Sequence, residues 1–175
     1  ISECLVGSEM CIRDRNKPVK IRSTNGVLVN GVVDVNVRFS RCCSPVPGDE
    51  IVGFITRGRG ISIHRTDCVN VIALPESEKS RLVDVEWQQE SFHSNEKFMA
   101  EIKIFCNNRI GIFADISKIF TEREIDIASM SSKTSKQGTA TINMSFEVGG
   151  VDALQQLINR LMAVNSVIDI ERSNG

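Results

Sequence analysis

The stretch FMAEIKIF, residues 98–105, decides the fold, because Phe98, Ala100, Ile102 and Ile104 recur at period two and so share one face of a half-buried strand. Residues 107–111 follow as a turn. Ile112, Phe113, Ile116, Ile119 and Phe120 then recur at helical spacing, which lays one apolar stripe along a helix. The strand-like EIDIASMSSK (124–133) comes next. Within GTATINMSFEV (138–148) Ala140, Ile142, Met144, Phe146 and Val148 alternate. Val151, Leu154, Leu157, Ile158, Leu161 and Met162 mark a second amphipathic helix, and VIDIER (167–172) reads as a last strand. The order β-α-β-β-α-β within residues 98–172 predicts an α+β chain whose second unit is ferredoxin-like, with both helices on one face of an antiparallel sheet. Such a sheet leaves its other face and its edges open, so a homodimer formed through this unit is expected.

Outward from this unit, VLVNGVVDVNVRFSR (27–41) is rich in β-branched residues and carries Asn30-Gly31, a two-residue hairpin signal that predicts two short paired strands. CCSPVPGDE (42–50) stops any strand at Pro45, Pro47 and Gly48. IVGFIT, RGRG and ISIHR (51–65) then read as a second hairpin, with Gly58 and Gly60 able to take positive φ in its turn. Thr66 or Asp67 is positioned to cap a short helix through Val71. Residues 27–74 therefore form a small strand-rich unit, a size at which a metal commonly supplements the core. PESEKS (75–80) and QQESFHSNEK (88–97) make residues 75–97 a polar linker, with one strand in RLVDVEW (81–87) that can belong to either unit. Residues 1–26 are read as a leader. Its first fifteen residues have no sustained period, and SEMCIRDR resembles translated adapter sequence, which sets Cys4 and Cys11 apart from function.

The chain has 175 residues, 41% of them apolar, which suits one large or two small domains. With 21 basic and 22 acidic residues the formal net charge is −1, so any nucleic-acid contact must be local. The bias is local: residues 1–72 hold 10 Lys/Arg against 7 Asp/Glu, and the remainder 11 against 15. No apolar run approaches the roughly 20 residues that span a bilayer, and no secretory signal is evident, so a cytoplasmic protein without a membrane partner is expected. In that compartment the six cysteines are reduced thiols or metal ligands rather than disulfides.

Cys42, Cys43, His64 and Cys68 form a C-C-x20-H-x3-C constellation, a donor set that suits tetrahedral zinc. Adjacent residues on a regular strand point to opposite faces, so both cysteines reach one ion only if the chain bends there, as Pro45 and Pro47 allow. Asp67 is a substitute ligand. Two other readings stand beside zinc: Cys42 or Cys43 packs inward as a small apolar group, or Cys42 is a nucleophile activated by His64. Arg38, Arg41, Arg57, Arg59 and Arg65 crowd the same unit. Arginine on loops is suited to RNA phosphates, and equally to a solvated hairpin face. In the second unit Asn107, Asn108, Arg109, Ile110 and Gly111 precede a helix start, where backbone N–H groups favour an anion such as a carboxylate. The plain alternative has Gly111 permitting the turn, Asn108 capping the helix and Arg109 in water. Ser129, Ser131, Ser132 and Thr134 make a polar strand end that lines the same place or faces solvent.

RCCSPVPGDEIVGFITRGRGISIHRTDC (41–68), with its CC-x-P-x-PGD, RGRG and H-x3-C elements, resembles the cysteine-containing domain near the C-terminus of long RelA/SpoT-family guanosine tetraphosphate synthetases and hydrolases. Residues 98–172, including NRIGIFADISKIF, resemble the ACT domain that follows it, with Asn108 in place of an Asp. The resemblance implies a zinc-finger-like, ribosome-docking domain whose Arg41, Arg57, Arg59 and Arg65 meet ribosomal RNA. It further implies a response to an uncharged transfer RNA in the stringent response, and transmission of the starvation signal to catalytic domains upstream in the same chain. It implies an amino-acid site at Asn108, Arg109, Ile110 and Gly111. The parent would be a GTP pyrophosphokinase and guanosine tetraphosphate hydrolase. No phosphate-binding loop or metal-binding His-Asp pair stands in these residues, so this stretch is expected to have no catalysis of its own. The competing expectation is a stand-alone ACT-type amino-acid sensor.

Overall fold

A computed structural model describes residues 20–22, 26–30, 36–88 and 96–173. The chain builds two sheets. The second is the one the alternation predicts: β7 (Phe98–Asn107), α3 (Ile112–Glu122), β8 (Ile127–Thr134), β9 (Thr139–Val148), α4 (Val151–Met162) and β10 (Val167–Arg172) follow in the expected order. The sheet order is β10-β7-β9-β8, antiparallel throughout. The central pair β7/β9 runs in register from Phe98↔Val148 to Asn107↔Thr139. Phe98, Ala100, Ile102, Ile104 and Cys106 of β7, and Ala140, Ile142, Met144, Phe146 and Val148 of β9, are buried. Ile112, Ile116 and Phe120 of α3 and Leu154, Leu157 and Leu161 of α4 close the core over them. Met162, expected in the apolar stripe, is exposed at the end of α4. No helix among the described residues is long and apolar enough to cross a membrane.

The first sheet departs from the sequence expectation in its pairing. It holds β1 (Lys20–Arg22), β2 (Val27–Asn30), β3 (Val37–Phe39), β4 (Ile51–Ile55), β5 (Ile61–Arg65) and β6 (Leu82–Trp87), in the order β1-β2-β6-β4-β5-β3. The β2/β3 hairpin signalled by Asn30-Gly31 does not form. The two strands lie apart in the sheet, β2 against β6 with Val27↔Trp87 and Val29↔Val85, β3 parallel to β5 with Val37↔Ile61. Buried Val27, Val29 and Val37 each find a better apolar partner at long range, and tertiary packing overrides a local turn preference. Gly31 itself lies outside the described residues, as do residues 1–19 and 89–95. Two boundaries move with this pairing. Lys20–Arg22, within the leader, is a strand paired with β2. β6, assigned to the linker, is an inner strand between β2 and β4. The β4/β5 hairpin forms as expected. Short helices α1 (Val69–Ile72) and α2 (Glu76–Lys79) connect β5 to β6, and the cap of α1 is Cys68 rather than Thr66 or Asp67.

Phe39, Trp87 and Phe98 join the two cores. Phe39 stacks on Trp87 at 5.5 Å, and both meet the Phe98 ring edge to face at 5.7 Å. Such pairs add about 0.5–1.5 kcal/mol each beyond area burial.

Candidate metal centre and arginine hairpin

The chain leaves β3 in a turn over Arg41–Cys43, and Ser44 adopts φ +42 while its N–H reaches the Ser40 carbonyl at 3.0 Å. This turn resolves the adjacency problem, because it aims Cys42 and Cys43 at one point. From the other side β5 delivers His64 and the start of α1 delivers Cys68. The four ligand atoms lie within 4.8 Å of one another. Cys42 Sγ is 3.4 Å from His64 Nδ1, 3.4 Å from Cys68 Sγ and 3.9 Å from Cys43 Sγ, and Cys43 Sγ is 3.9 Å from Nδ1. Zn–S and Zn–N bonds of about 2.3 and 2.0 Å in a tetrahedron require edges of roughly 3.5–3.8 Å. The residues present fit a metal ion.

The surroundings fit thiolate ligands too. Burial works to raise the Cys42 thiol, but hydrogen bonding with Ser40, whose Oγ is 3.0 Å from Sγ, and with Asn70, Cys68 and Cys43 outweighs it and brings Cys42 below the ordinary thiol value. Burial pushes the Cys43 thiol up to about 12, against a backbone N–H donated by Arg65 at 3.3 Å and with the charges of Cys42 and Cys68 adding to the rise. Burial lowers His64, which keeps its imidazole neutral and able to ligate. A metal ion bound among the three sulfurs would offset the repulsion between their thiolate charges. Ser40 and Asn70 were not singled out in the sequence; only their proximity in space marks them.

Asp67 is not part of this cluster. Its carboxylate pairs with Arg65 instead. Arg65 in turn is only 8% exposed, with Nη1 buried and without a protein partner, so it is withdrawn from the solvent face where an RNA contact requires it. Arg57 and Arg59 stand on the β4/β5 turn in the open. The Arg57 side chain is 86% exposed, with a 3.5 Å ion pair to Glu78, and Arg41 and Arg38 are exposed as well. The turn is hydrogen-bonded where it meets the sheet: the Gly60 carbonyl accepts the Thr56 N–H at 2.9 Å, and the Ile61 N–H donates to the Asn36 carbonyl at 2.9 Å. Gly60 has φ +82, and a Cβ there would stand 1.9 Å from the Asn36 carbonyl oxygen.

The loop before α3 is arranged differently from a free ligand cradle. Gly111, at φ 86, occupies the helix N-cap with no side-chain cap, so Asn108 does not cap α3; its N–H donates to the Gly138 carbonyl at 2.8 Å. Arg109 donates to Ser166 Oγ at 3.0 Å, the Asn165 carbonyl at 3.1 Å and Asp115 Oδ2 at 2.5 Å, which ties the loop to the turn before β10. Ile110 is fully exposed. Ser129 and Ser131 lie across the open sheet face, beside Lys103 and Asn143, and not at this loop.

A strand-rich unit with a Cys3His cluster, followed by a ferredoxin-like unit, defines a two-domain α+β protein with a candidate metal site in its first domain. Family models match both parts: the RelA/SpoT RIS domain over residues 27–88 and the ACT domain over residues 94–172. The chain is a RIS–ACT pair of the RelA/SpoT family, corresponding to its C-terminal regulatory region. It is 36% identical over 160 residues to a GTP pyrophosphokinase of Streptomyces coelicolor, covering 91% of this chain and 18% of that protein. It is 37% identical over 150 residues to one of Escherichia coli K12, covering 85% of this chain and 20% of that protein. The chain thus spans about a fifth of the length of these curated relatives. The solution structure of the ACT domain of a Chlorobium tepidum GTP pyrophosphokinase is 25% identical with a TM-score of 0.40, covering 45% of this chain and 89% of that one.

Proposed function

We propose that this chain is the regulatory module of a cytoplasmic GTP pyrophosphokinase and guanosine tetraphosphate hydrolase. It docks to ribosomal RNA beside a transfer RNA and transmits the amino-acid starvation signal of the stringent response to catalytic domains in the same protein. The observation that carries this reading is the exposed Arg57–Gly58–Arg59 turn, closed by the Thr56–Gly60 hydrogen bond, on a domain that matches the RelA/SpoT RIS family. Guanidinium groups present planar, multiply donating forks that match phosphate geometry. Zinc is the metal that this donor set favours, held by Cys42, Cys43, His64 and Cys68. Bound there it supplies a structural cross-link between the β3 turn, β5 and α1, and so positions the arginine hairpin that leads into β5.

The ACT domain is the natural site of self-association. Its edge strand β8 is exposed along nearly its whole length, and an unpaired edge is a template for a second copy. An amino-acid ligand at Asn108–Gly111 remains part of the proposal only with Arg109 released from Asp115 and Ser166. Cosedimentation of the 175-residue chain with 70S ribosomes tests the reading: the native chain pellets with them, and the Arg57→Ala/Arg59→Ala variant does not. If the folded variant pellets equally, the hairpin is not the docking element. If neither binds and a free amino acid raises the melting temperature, the chain is an amino-acid sensor instead.

A further inference from the structure

Residues 42–49 belong to two sites at once. At their start Cys42 and Cys43 supply half of the metal-ligand set. At their end the same segment is built into the ACT domain. Val46 is completely buried within the ACT core cluster. The Pro47 carbonyl accepts the N–H of Val151, the first residue of α4, at 2.8 Å. Gly48, at φ +102, passes so near α4 that a Cβ would stand 2.4 Å from Val151 Cγ1. Asp49 receives Arg172 of β10 on both carboxylate oxygens, at 2.7 and 2.8 Å, and the Val46 N–H at 2.9 Å. Between the two ends the ACT domain also reaches back. Arg172 Nη2 approaches the Ser44 carbonyl at 3.5 Å, and Ser173 Oγ donates to the carbonyl of Cys42 itself at 3.1 Å.

We infer that residues 42–49 form a latch, through which filling the Cys42–Cys43–His64–Cys68 site secures the docking of the ACT domain and emptying it releases that docking. The inference rests on the metal reading given above. Eight residues, with a left-handed Ser44 in the middle and both ends packed, have no slack to absorb a displacement of the Cys42–Cys43 turn. Packed elements of this kind shift between discrete arrangements and do not deform continuously. The coupling is reciprocal, so whatever the metal does for docking, docking does for metal affinity. Arg172 and Ser173 thereby become positioning residues for a metal they do not touch. Groups that orient ligands from outside typically change metal affinity 10–100-fold when removed.

The test uses the whole 175-residue chain with Co(II) as a spectroscopic stand-in for zinc and with Trp87, the single tryptophan, as reporter of the junction. Trp87 stacks on Phe39, meets Phe98 and donates from Nε1 to the Asp49 carbonyl at 2.9 Å. Zinc is predicted to shift Trp87 emission in the native chain and not in Cys43→Ser. Arg172→Ala is predicted to weaken Co(II) binding on the order of tenfold with the thiolate–cobalt absorption band unchanged in shape. Because Arg172→Ala also weakens packing, Ser173→Ala, which deletes one hydrogen bond to the Cys42 carbonyl, provides a second and milder variant, and circular dichroism checks the fold of both. A tetrahedral thiolate spectrum with the same affinity in the native, Arg172→Ala and Ser173→Ala chains and a Trp87 emission indifferent to zinc overturns the latch alone. No thiolate spectrum in the native chain overturns the metal reading and the latch with it.

Discussion

Arg172, at the end of the last strand, grips both carboxylate oxygens of Asp49, a residue 123 positions earlier in the other domain, at 2.7 and 2.8 Å. The pair is largely withdrawn from water, with side chains 17% and 8% exposed, and Asp49 also accepts the Val46 N–H. Two-point guanidinium–carboxylate contact fixes orientation as well as distance, so this pair sets how the RIS and ACT domains meet.

Removing one partner of a buried pair leaves the other charge stranded, which typically costs about 3–5 kcal/mol. Asp49→Ala and Arg172→Ala are each expected to lower the urea midpoint, toward the lower end of that range because the pair keeps some solvent. The double variant is expected to be less destabilised than the sum of the singles, with a coupling of about 0.5–3 kcal/mol. Strict additivity in the double-mutant cycle would mean that the contact does not hold the domains together.

Gly58 and Gly60 share positive φ values of 81 and 82 but not surroundings, since a Cβ at Gly58 meets nothing within 4 Å and one at Gly60 meets the Asn36 carbonyl. Gly58→Ala therefore carries only the left-handed backbone penalty, roughly 1–2 kcal/mol. Gly60→Ala adds a clash with backbone that cannot yield cheaply. Thermal denaturation is expected to rank Gly60→Ala well below Gly58→Ala, and equal melting temperatures would contradict the turn geometry.

Arg65 is expected to matter for stability and not for RNA. Truncation to Ala removes the Asp67 pair and the packing of a buried side chain. Changes of this kind commonly cost about 1–3 kcal/mol. A folded Arg65→Ala chain with native melting temperature and lost ribosome affinity would reverse the assignment.

The metal-free chain, kept with a chelator, is expected to be most stable between about pH 6.5 and pH 9. His64 is lowered by burial from 6.5, so on acidification the unfolded chain takes up its proton first and stability falls below 6.5. Cys106 and Cys43 are raised from 9.0 by burial, Cys43 to about 12; the unfolded thiols ionise first, and stability falls as the pH rises above 9. Cys42 is lowered, so its gain is complete by pH 9 and does not oppose that fall. Added zinc should raise the melting temperature across the plateau, by mass action on the folded state. Urea midpoints measured at intervals from pH 5 to 11 check the signs.

The ACT domain was legible because its apolar residues follow one period per element: Phe98, Ala100, Ile102 and Ile104 name a face, and Leu154, Leu157 and Leu161 name a stripe. Partner choice in the first sheet was not, because period two identifies which face of a strand is buried and says nothing about which strand lies beside it. The Asn30-Gly31 signal therefore suggested a hairpin that long-range pairing of Val27 and Val29 with β6 replaced. Arg65 could have been read correctly. In ISIHR the buried positions are Ile61, Ile63 and Arg65, so the alternation that leaves His64 to the metal cluster turns Arg65 inward. The Cys42–Cys43 adjacency needed a bend, which the turn over Arg41–Cys43 provides. The Asp49–Arg172 clamp had no local signal at all, being a product of how the two domains dock.

The central claim, that Arg57 and Arg59 dock the chain to ribosomal RNA, is tested most directly by the salt dependence of its affinity for 70S ribosomes, native against Arg57→Ala/Arg59→Ala. Each phosphate contact contributes about 0.7–0.9 to the slope of log K against log salt. Loss of two contacts is predicted to flatten that slope by roughly 1.4–1.8 units and to weaken binding at low salt. An unchanged slope and affinity in a variant that retains its fold and its metal content would contradict the account.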